Sequence, residues 1–318
     1  MSGSILALAG GVGGAKLAFG LANVLSADAL TVAVNTADDF EHLGFSISPD
    51  LDTVMYTLAG VANPETGWGR QGESWTVMEA LAAVGGETWF RLGDKDLATH
   101  IERTRRLRVG ESLSSVTRDL AARLGVKPAM VPMSDDPVRT MVATDQGELA
   151  FQDWFVRLQC RPVVCSVRFA GAELARPHSA LLDLSGLRGI VVCPSNPFVS
   201  VAPILALPGV RRALEQASVP RVAVTPIVGG QAIKGPAAKM LAELGHDVSA
   251  LGVARYYKEW VDGFVLDAQD AALAANIAAL GMRVRVADTM MRNDADKRRL
   301  AAEVLDFVDE LAISGRHS

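Results

Sequence analysis

The chain is poor in the residues that mark many specialised functions. It has only three cysteines, Cys160, Cys165 and Cys193, with no CxxC pair and apolar neighbours. That argues against a disulfide scaffold and against cysteine-bound zinc, and fits reduced, buried thiols in a cytoplasmic protein. The five histidines form no HxxxH or HExxH pair, so no histidine-rich metal site is expected. There is no GxSxG elbow, and no cysteine has an evident base beside it, which leaves covalent acyl transfer without support. Aromatic residues make up only 6% of the chain against 29 glycines, a balance that favours an α/β protein with tight turns over a β-sandwich. Positive charge is scarce too. A net charge of −5 and a pI near 5.6, with no basic stripe, argue against a nucleic-acid partner. Short basic clusters such as RTRRLR, from Arg103 to Arg108, read as a solvated helix face. Uninterrupted apolar runs are also missing. Residues 4–25 superficially resemble a signal peptide or membrane span, but five glycines and Lys16 break the stretch and no basic segment precedes it. It reads as a strand, a turn and a helix, with no membrane partner expected.

What is present is core-forming material. Of 318 residues, 49% are hydrophobic, enough for one large domain or two. Short apolar runs end in polar or glycine-rich turns: Ile5–Ala9 before GGVGGAK, Thr31–Val34 before NTADD, Gly189–Cys193 before PSNP, Arg221–Ile227 before VGGQAIKGP, and Gly263–Asp267 before AQD. Continuous apolar strands of this kind predict a parallel sheet covered on both faces. We expect a single Rossmann-like α/β domain over residues 1–318, with a doubly wound, mostly parallel sheet. An insertion lobe is expected over about 53–170, helical at Ser112–Leu124 and hairpin-like over 138–170 with its turn at Asp145-Gln146-Gly147. Ligands of such folds bind beyond the carboxyl ends of the strands. The unusual residues fall there.

The turn Gly10-Gly11-Val12-Gly13-Gly14-Ala15-Lys16 offers glycine flexibility and a following helix N-terminus, both suited to a phosphate. It matches neither a Walker A loop, which needs GK[ST], nor GxGxxG. A purely structural tight turn is the alternative. Ser195 and Asn196 can hydrogen-bond a base, ribose or phosphate, or simply cap their turn. Gly229 and Gly230 with Lys234 form a further nest with an ammonium beside it. The LGDKDLATH run is dense in polar groups, with loop and helix-cap chemistry as the bland reading; PMSDDP is another acidic turn.

Five carboxylates, Asp38, Asp39, Glu41, Asp50 and Asp52, crowd into fifteen positions after the second strand. Beside glycine nests they fit a hard cation with oxygen ligands, magnesium above all, bridging substrate phosphates. Helix capping and solvated turns account for Glu41 and Asp39. They account less well for Asp50 and Asp52, which flank the apolar Leu51.

Taken in order, GGVGGAKLAFGL, NTADDFEHLGFSISPDLDTVMYTLAG, NPETGWG, LGDKDLATH, PMSDDPVRT, PSNPFVS and TPIVGGQAIKGPAAKM resemble the 2-phospho-L-lactate transferase family (CofD/FbiA type) from about residue 5 to residue 290. The resemblance implies transfer of a phospholactyl, phosphoenolpyruvyl or related phospho-acid group from a GDP-linked donor to a deazaflavin alcohol. GMP is released, Mg2+ is required, and the product leads to coenzyme F-420. By the same resemblance Asp50 and Asp52 are the expected catalytic pair, and Asp38, Asp50 and Asp52 the metal ligands. Asp52, Arg91, Asp94 and Thr99 are expected at the deazaflavin. Gly10, Gly11, Gly13, Gly14, Lys16, Asn35, Thr36, Ser195, Asn196, Gly229, Gly230 and Lys234 are expected at the nucleotide and its phosphates. Exposed apolar helices in the insertion would favour a homodimer. The rival readings are a nucleotide-sugar-binding regulator from a related family and an NAD(P)-dependent oxidoreductase. NPETGWG, LGDKDLATH and FQDWFVR favour the transferase over the first, and the failed dinucleotide pattern disfavours the second.

Overall fold

The structure, a computed structural model, describes residues 3–314. The chain opens with β1 (Ser4–Ala9), α1 (Gly11–Val24) and β2 (Leu30–Val34), followed by a hairpin of β3 (Phe40–His42) and β4 (Phe45–Ile47). Four helices come next: α2 (Pro49–Leu58), α3 (Thr76–Ala83), α4 (Asp94–Arg108) and α5 (Leu113–Arg123). Strands β5 (Ala129–Pro132), β6 (Arg139–Thr144), β7 (Gly147–Ala150), β8 (Val164–Ala170) and β9 (Leu187–Val192) lead to α6 (Ala202–Leu205) and α7 (Val210–Gln216). The last third contains β10 (Arg221–Val224), β11 (Ile227–Val228), β12 (Gln231–Ala232), α8 (Ala237–Glu243), α9 (Ala250–Tyr257), β13 (Gly263–Asp267), α10 (Ala274–Ala278), β14 (Arg283–Ala287) and α11 (Asp294–Ser314).

Seven strands form one sheet in the order β14-β13-β10-β9-β1-β2-β5, and every neighbouring pair is parallel. The side-chain period of two divides the core. Ile5, Ala7 and Ala9 of β1 face the layer of α1, α2 and α11, whereas Leu6 and Leu8 face the opposite layer with α7, α8 and α9. Burial on both faces explains why the central strands read as unbroken aliphatic runs. Gly20 lets α1 and α11 cross closely, since a Cβ there would lie 2.1 Å from the Lys297 carbonyl oxygen.

The parallel sheet, the helices covering it and the antiparallel hairpins agree with the expected class. β6 pairs antiparallel with both β7 and β8, with the β6–β7 turn at Asp145-Gln146. Strand β10 stops at Val224, short of the expected Ile227, because Thr225 and Pro226 turn the chain out of the sheet. Two edge strands, β5 and β14, were not anticipated. β5 lies within residues 53–170 yet pairs with β2 in the main sheet. The RTRRLR cluster is only in part the solvated face expected of it: Arg105 and Arg108 are exposed, but Arg103 is 1% and Arg106 9% exposed. Asp52 binds the first, Glu111 and Asp119 the second. Among the described residues no single helix is long and apolar enough to cross a membrane.

Candidate functional site

The chain builds the sheet outward from β1 in one direction through β2 and β5, then returns to β9 on the other side of β1. At this reversal the loops after β1 and β9 border a crevice at the carboxyl ends of the strands. A cavity of about 710 Å³ occupies it. Its floor is the GGVGG turn. Ser195 locks that turn to the β9 loop, accepting from Gly10 N at 3.2 Å and donating to Gly10 O at 2.9 Å. The glycines permit this closeness: a Cβ on Gly13 would fall 2.2 Å from Pro194 O, and one on Gly14 would fall 2.4 Å from Ser195 Oγ. Gly11 has φ +60°. The first turn of α1 thus opens on the cavity with N–H groups that have no intrahelical acceptor.

One of those groups is already used within the chain. Asp50, in the first turn of α2, accepts from Gly11 N at 2.7 Å through Oδ1 and from Asn35 Nδ2 at 2.9 Å through Oδ2. Asn35 also donates to Val199 O at 3.0 Å, so the segments after β1 and β2 meet on one carboxylate and Asn35 ties the segment after β9 to them. Burial pushes the Asp50 carboxyl above its usual range. Asp38 lines the same cavity and is raised well above that range, by burial first and then by the Asp50 charge. Its Oδ1 is buried without a hydrogen-bond partner, and no basic side chain pairs with either acid among the described residues. Two repelling buried carboxylates, one with an orphaned oxygen, suit a hard divalent cation.

Asp52 sits differently. Arg103, fully buried, grips both of its oxygens, with Nη1 to Oδ2 at 2.9 Å and Nη2 to Oδ1. His100 lies between Asp52 and Asp96, with Nδ1 3.6 Å from Asp52 Oδ2 and Nε2 3.3 Å from Asp96 Oδ1. The Tyr56 hydroxyl donates to Asp96 Oδ1 at 2.7 Å. Burial would raise the Asp96 carboxyl, but His100, Tyr56 and Arg103 together hold it below the usual range. Asp52, Asp96 and His100 present ligand atoms within 4.8 Å of one another, an arrangement compatible with a divalent metal. Arg103 already pairs with Asp52 in this group, however, whereas Asp38 and Asp50 have no such cation among the described residues. The buried Asp39, excluded from the cavity wall, accepts from Ser48 Oγ at 2.7 Å instead of capping a helix.

Of the expected nucleotide and phosphate residues, Gly10, Gly11, Gly13, Lys16, Ser195, Asn196 and Lys234 line the cavity. Gly14, Asn35 and Thr36 lie behind its wall, and Gly229 and Gly230 outside it. Gly229 N is bound by Asp270 Oδ2 at 2.9 Å. Lys16 donates to Met291 O at 3.1 Å, and burial followed by the charges of Lys234 and Lys297 lowers its ammonium pKa. Lys234 crosses the cavity mouth to Glu65 O and Thr66 O, at 3.2 and 2.8 Å. Of the expected acceptor residues, Asp52 and Arg91 line the cavity, and the Arg91 guanidinium stacks on Trp75 at 4.2 Å. Asp94 does not. It caps α3 through Thr76 N and Val77 N, both at 3.1 Å. Thr99 is buried on α4, also off the cavity. Sequence reasoning missed Tyr56, Asp96, His100, Arg103 and Gln152. A usable signal existed: Asp52 and Tyr56, like Asp96 and His100, stand four apart on one helix and so share a face.

A model of the family described as 2-phospho-L-lactate transferase CofD matches residues 5–305. The chain is 42% identical over 314 residues to the phosphoenolpyruvate transferase of Streptomyces griseus, covering 96% of this chain and 99% of that one. It is 39% identical over 306 residues to the 2-phospho-L-lactate transferase of Methanosarcina acetivorans, with coverage of 96% and 99%. Among solved structures, a UPF0052 family protein from Bacillus halodurans superposes with TM-score 0.60 at 14% identity, over 96% of this chain and 99% of that one, a likeness of fold.

Proposed function

We propose a reaction for this chain from the premise that it belongs to the 2-phospho-L-lactate transferase CofD family and is an enzyme, a transferase of phospholactate or phosphoenolpyruvate. The donor is a GDP-linked acid, the acid esterified to the terminal phosphate, and the acceptor the deazaflavin alcohol 7,8-didemethyl-8-hydroxy-5-deazariboflavin. GMP is the second product, in a cytoplasmic step towards coenzyme F-420. The observation that carries this reading is the pair Asp38 and Asp50, buried without a basic partner where α1 presents its N-terminus to the crevice.

The ribityl hydroxyl oxygen attacks the phosphorus that bears the acid. A new P–O bond forms, the bond to the GMP oxygen breaks, and GMP leaves with the electron pair. Asp50 orients that hydroxyl and takes its proton late in the displacement. Gly11 and Asn35 fix the Asp50 carboxylate in place for this transfer. Asp52, held at both oxygens by Arg103, forms the wall that positions the acceptor. Lys16, Lys234 and the first turn of α1 hold the donor phosphates. Mg2+ held by Asp38 and Asp50 would neutralise the pyrophosphate charge. Incubating the protein with Mg2+, the deazaflavin alcohol and each GDP-linked acid in turn tests the reading by chromatography and mass spectrometry. Acceptor-dependent GMP release with a phospho-acid-bearing deazaflavin is expected. No GMP from any donor would sink it.

A further inference from the structure

The cavity is chemically divided. Every phenylalanine, tyrosine and tryptophan that lines it comes from residues 56–155: Tyr56, Trp68, Phe90, Phe151 and Phe155. From Pro194 onward the lining has none, and offers Val228, Ile233, Met290 and Met291 with the cations Lys234 and Arg292. A planar heteroaromatic group therefore finds rings only on the segment 56–155, while the cations Lys16, Arg91, Lys234 and Arg292 are spread along the lining.

On the aromatic side two rings form a platform. Phe151 and Phe155 lie parallel, with centroids 5.3 Å apart and planes 14° from each other. Phe155 is half-buried, so Phe151 backs it and the pair still borders the cavity. The segment is rigidly held. Residues Asp153–Arg157 form a π-helical turn, a conformation concentrated at functional sites. Trp154, fully buried, donates from Nε1 to Pro162 O at 3.0 Å. Arg157 closes the turn onto Asp153 at 3.2 Å and covers the Trp89 ring at 4.4 Å. Gln152 Nε2 donates to Asp38 O at 3.3 Å, which fixes the platform relative to the acidic centre.

We propose that Phe155, backed by Phe151, is the stacking surface for the planar ring of the acceptor, and that it determines acceptor and not donor affinity. This rests on the transferase reaction proposed above. Gln152 ties the platform to the backbone of Asp38, beside the Asp50 carboxylate at which the acceptor hydroxyl reacts, whereas the lining from Pro194 onward offers the purine of the donor no ring. Base-on-aromatic stacking is sequence-tolerant and substantial.

The test is steady-state kinetics of GMP release with full-length Phe155→Leu and Phe155→Tyr, varying each substrate while the other saturates. Phe155→Leu should raise the acceptor KM about five- to 100-fold, with the donor KM within about twofold and kcat within about threefold. Phe155→Tyr, which keeps the ring, should return the acceptor KM to within about threefold of wild type. A rise in the donor KM instead, or no change in either, overturns the assignment. Should Phe155→Leu not fold, wild-type protein with selectively labelled phenylalanine decides. Nuclear Overhauser contacts between the acceptor ring and the Phe155 ring are expected, and their absence at saturation overturns the proposal. Wild-type protein that releases no GMP would refute the reaction itself; normal wild-type turnover with an unaltered Phe155→Leu refutes only the platform.

Discussion

Asp39→Asn should make the protein more stable at neutral and alkaline pH and leave it unchanged in acid. The Asp39 carboxyl is buried, its Oδ2 accepts from Ser48 Oγ at 2.7 Å and its Oδ1 has no partner. Burial raises its pKa to about 7, although Ser48, Arg103 and Arg139 pull the other way. In the unfolded chain the group titrates near 3.9, so the difference is roughly three units, or about 4 kcal/mol at 1.36 kcal/mol per unit. Between those two values the folded protein holds a proton that the unfolded chain has released, and stability therefore falls as pH rises. The penalty is absent below about pH 4 and complete above about pH 7. Asparagine keeps an acceptor for Ser48 and cannot ionise. With unfolding entropy near 2.1 cal/mol/K per residue over 318 residues, about 1.5 °C accompanies each kcal/mol. Calorimetry of both proteins in chelator from pH 4 to 8 should show Tm values that coincide at pH 4 and separate by about 6 °C at pH 8. The other buried acids remain in both proteins, so the difference isolates Asp39. A pH-independent difference, or a variant less stable at pH 8, would refute the reasoning.

Two further outcomes are expected. Arg103→Met leaves Asp52 buried and unpaired and should cost about 3–5 kcal/mol in urea denaturation, most of it regained in the double variant with Asp52→Asn. A single-variant cost under about 1 kcal/mol would mean the pair is not desolvated. Gly10→Ala introduces a Cβ 2.5 Å from Asp50 Oδ2 and 2.7 Å from Ser200 Cβ. It should destabilise by about 1–3 kcal/mol and reduce GMP release at least about tenfold, because Asp50 must move; unchanged turnover would contradict the close approach.

The interior strands were readable because burial on both faces requires aliphatic runs: the Gly263–Asp267 run is β13 end to end. The edge strands were not. β5 is four residues ending in Pro132, and β14 alternates arginine with valine and alanine along the solvated margin. The exposed edge of β14 lacks the apolar signature, and β5, although apolar, is too short to declare itself a strand. Glycines and acids flagged the crevice, but not their pairing. Gly10 meets Ser195 across 185 positions and Gly11 meets Asp50 across 39, contacts that exist only once β1, β2 and β9 lie side by side. Arg103 was hidden among neighbouring arginines. Only the tertiary placement of Asp52 opposite α4 separates this buried ion-pair partner from exposed Arg105.

The central claim, that phospho-acid transfer occurs at Asp50, is tested most directly by Asp50→Asn. The substitution keeps the shape and can still accept from Gly11 N, but it removes the charge and the proton acceptor. GMP release at saturating Mg2+, donor and deazaflavin alcohol should fall by about 10²–10⁴-fold in a variant that melts no lower than wild type. Turnover close to wild type in that folded variant would contradict the account.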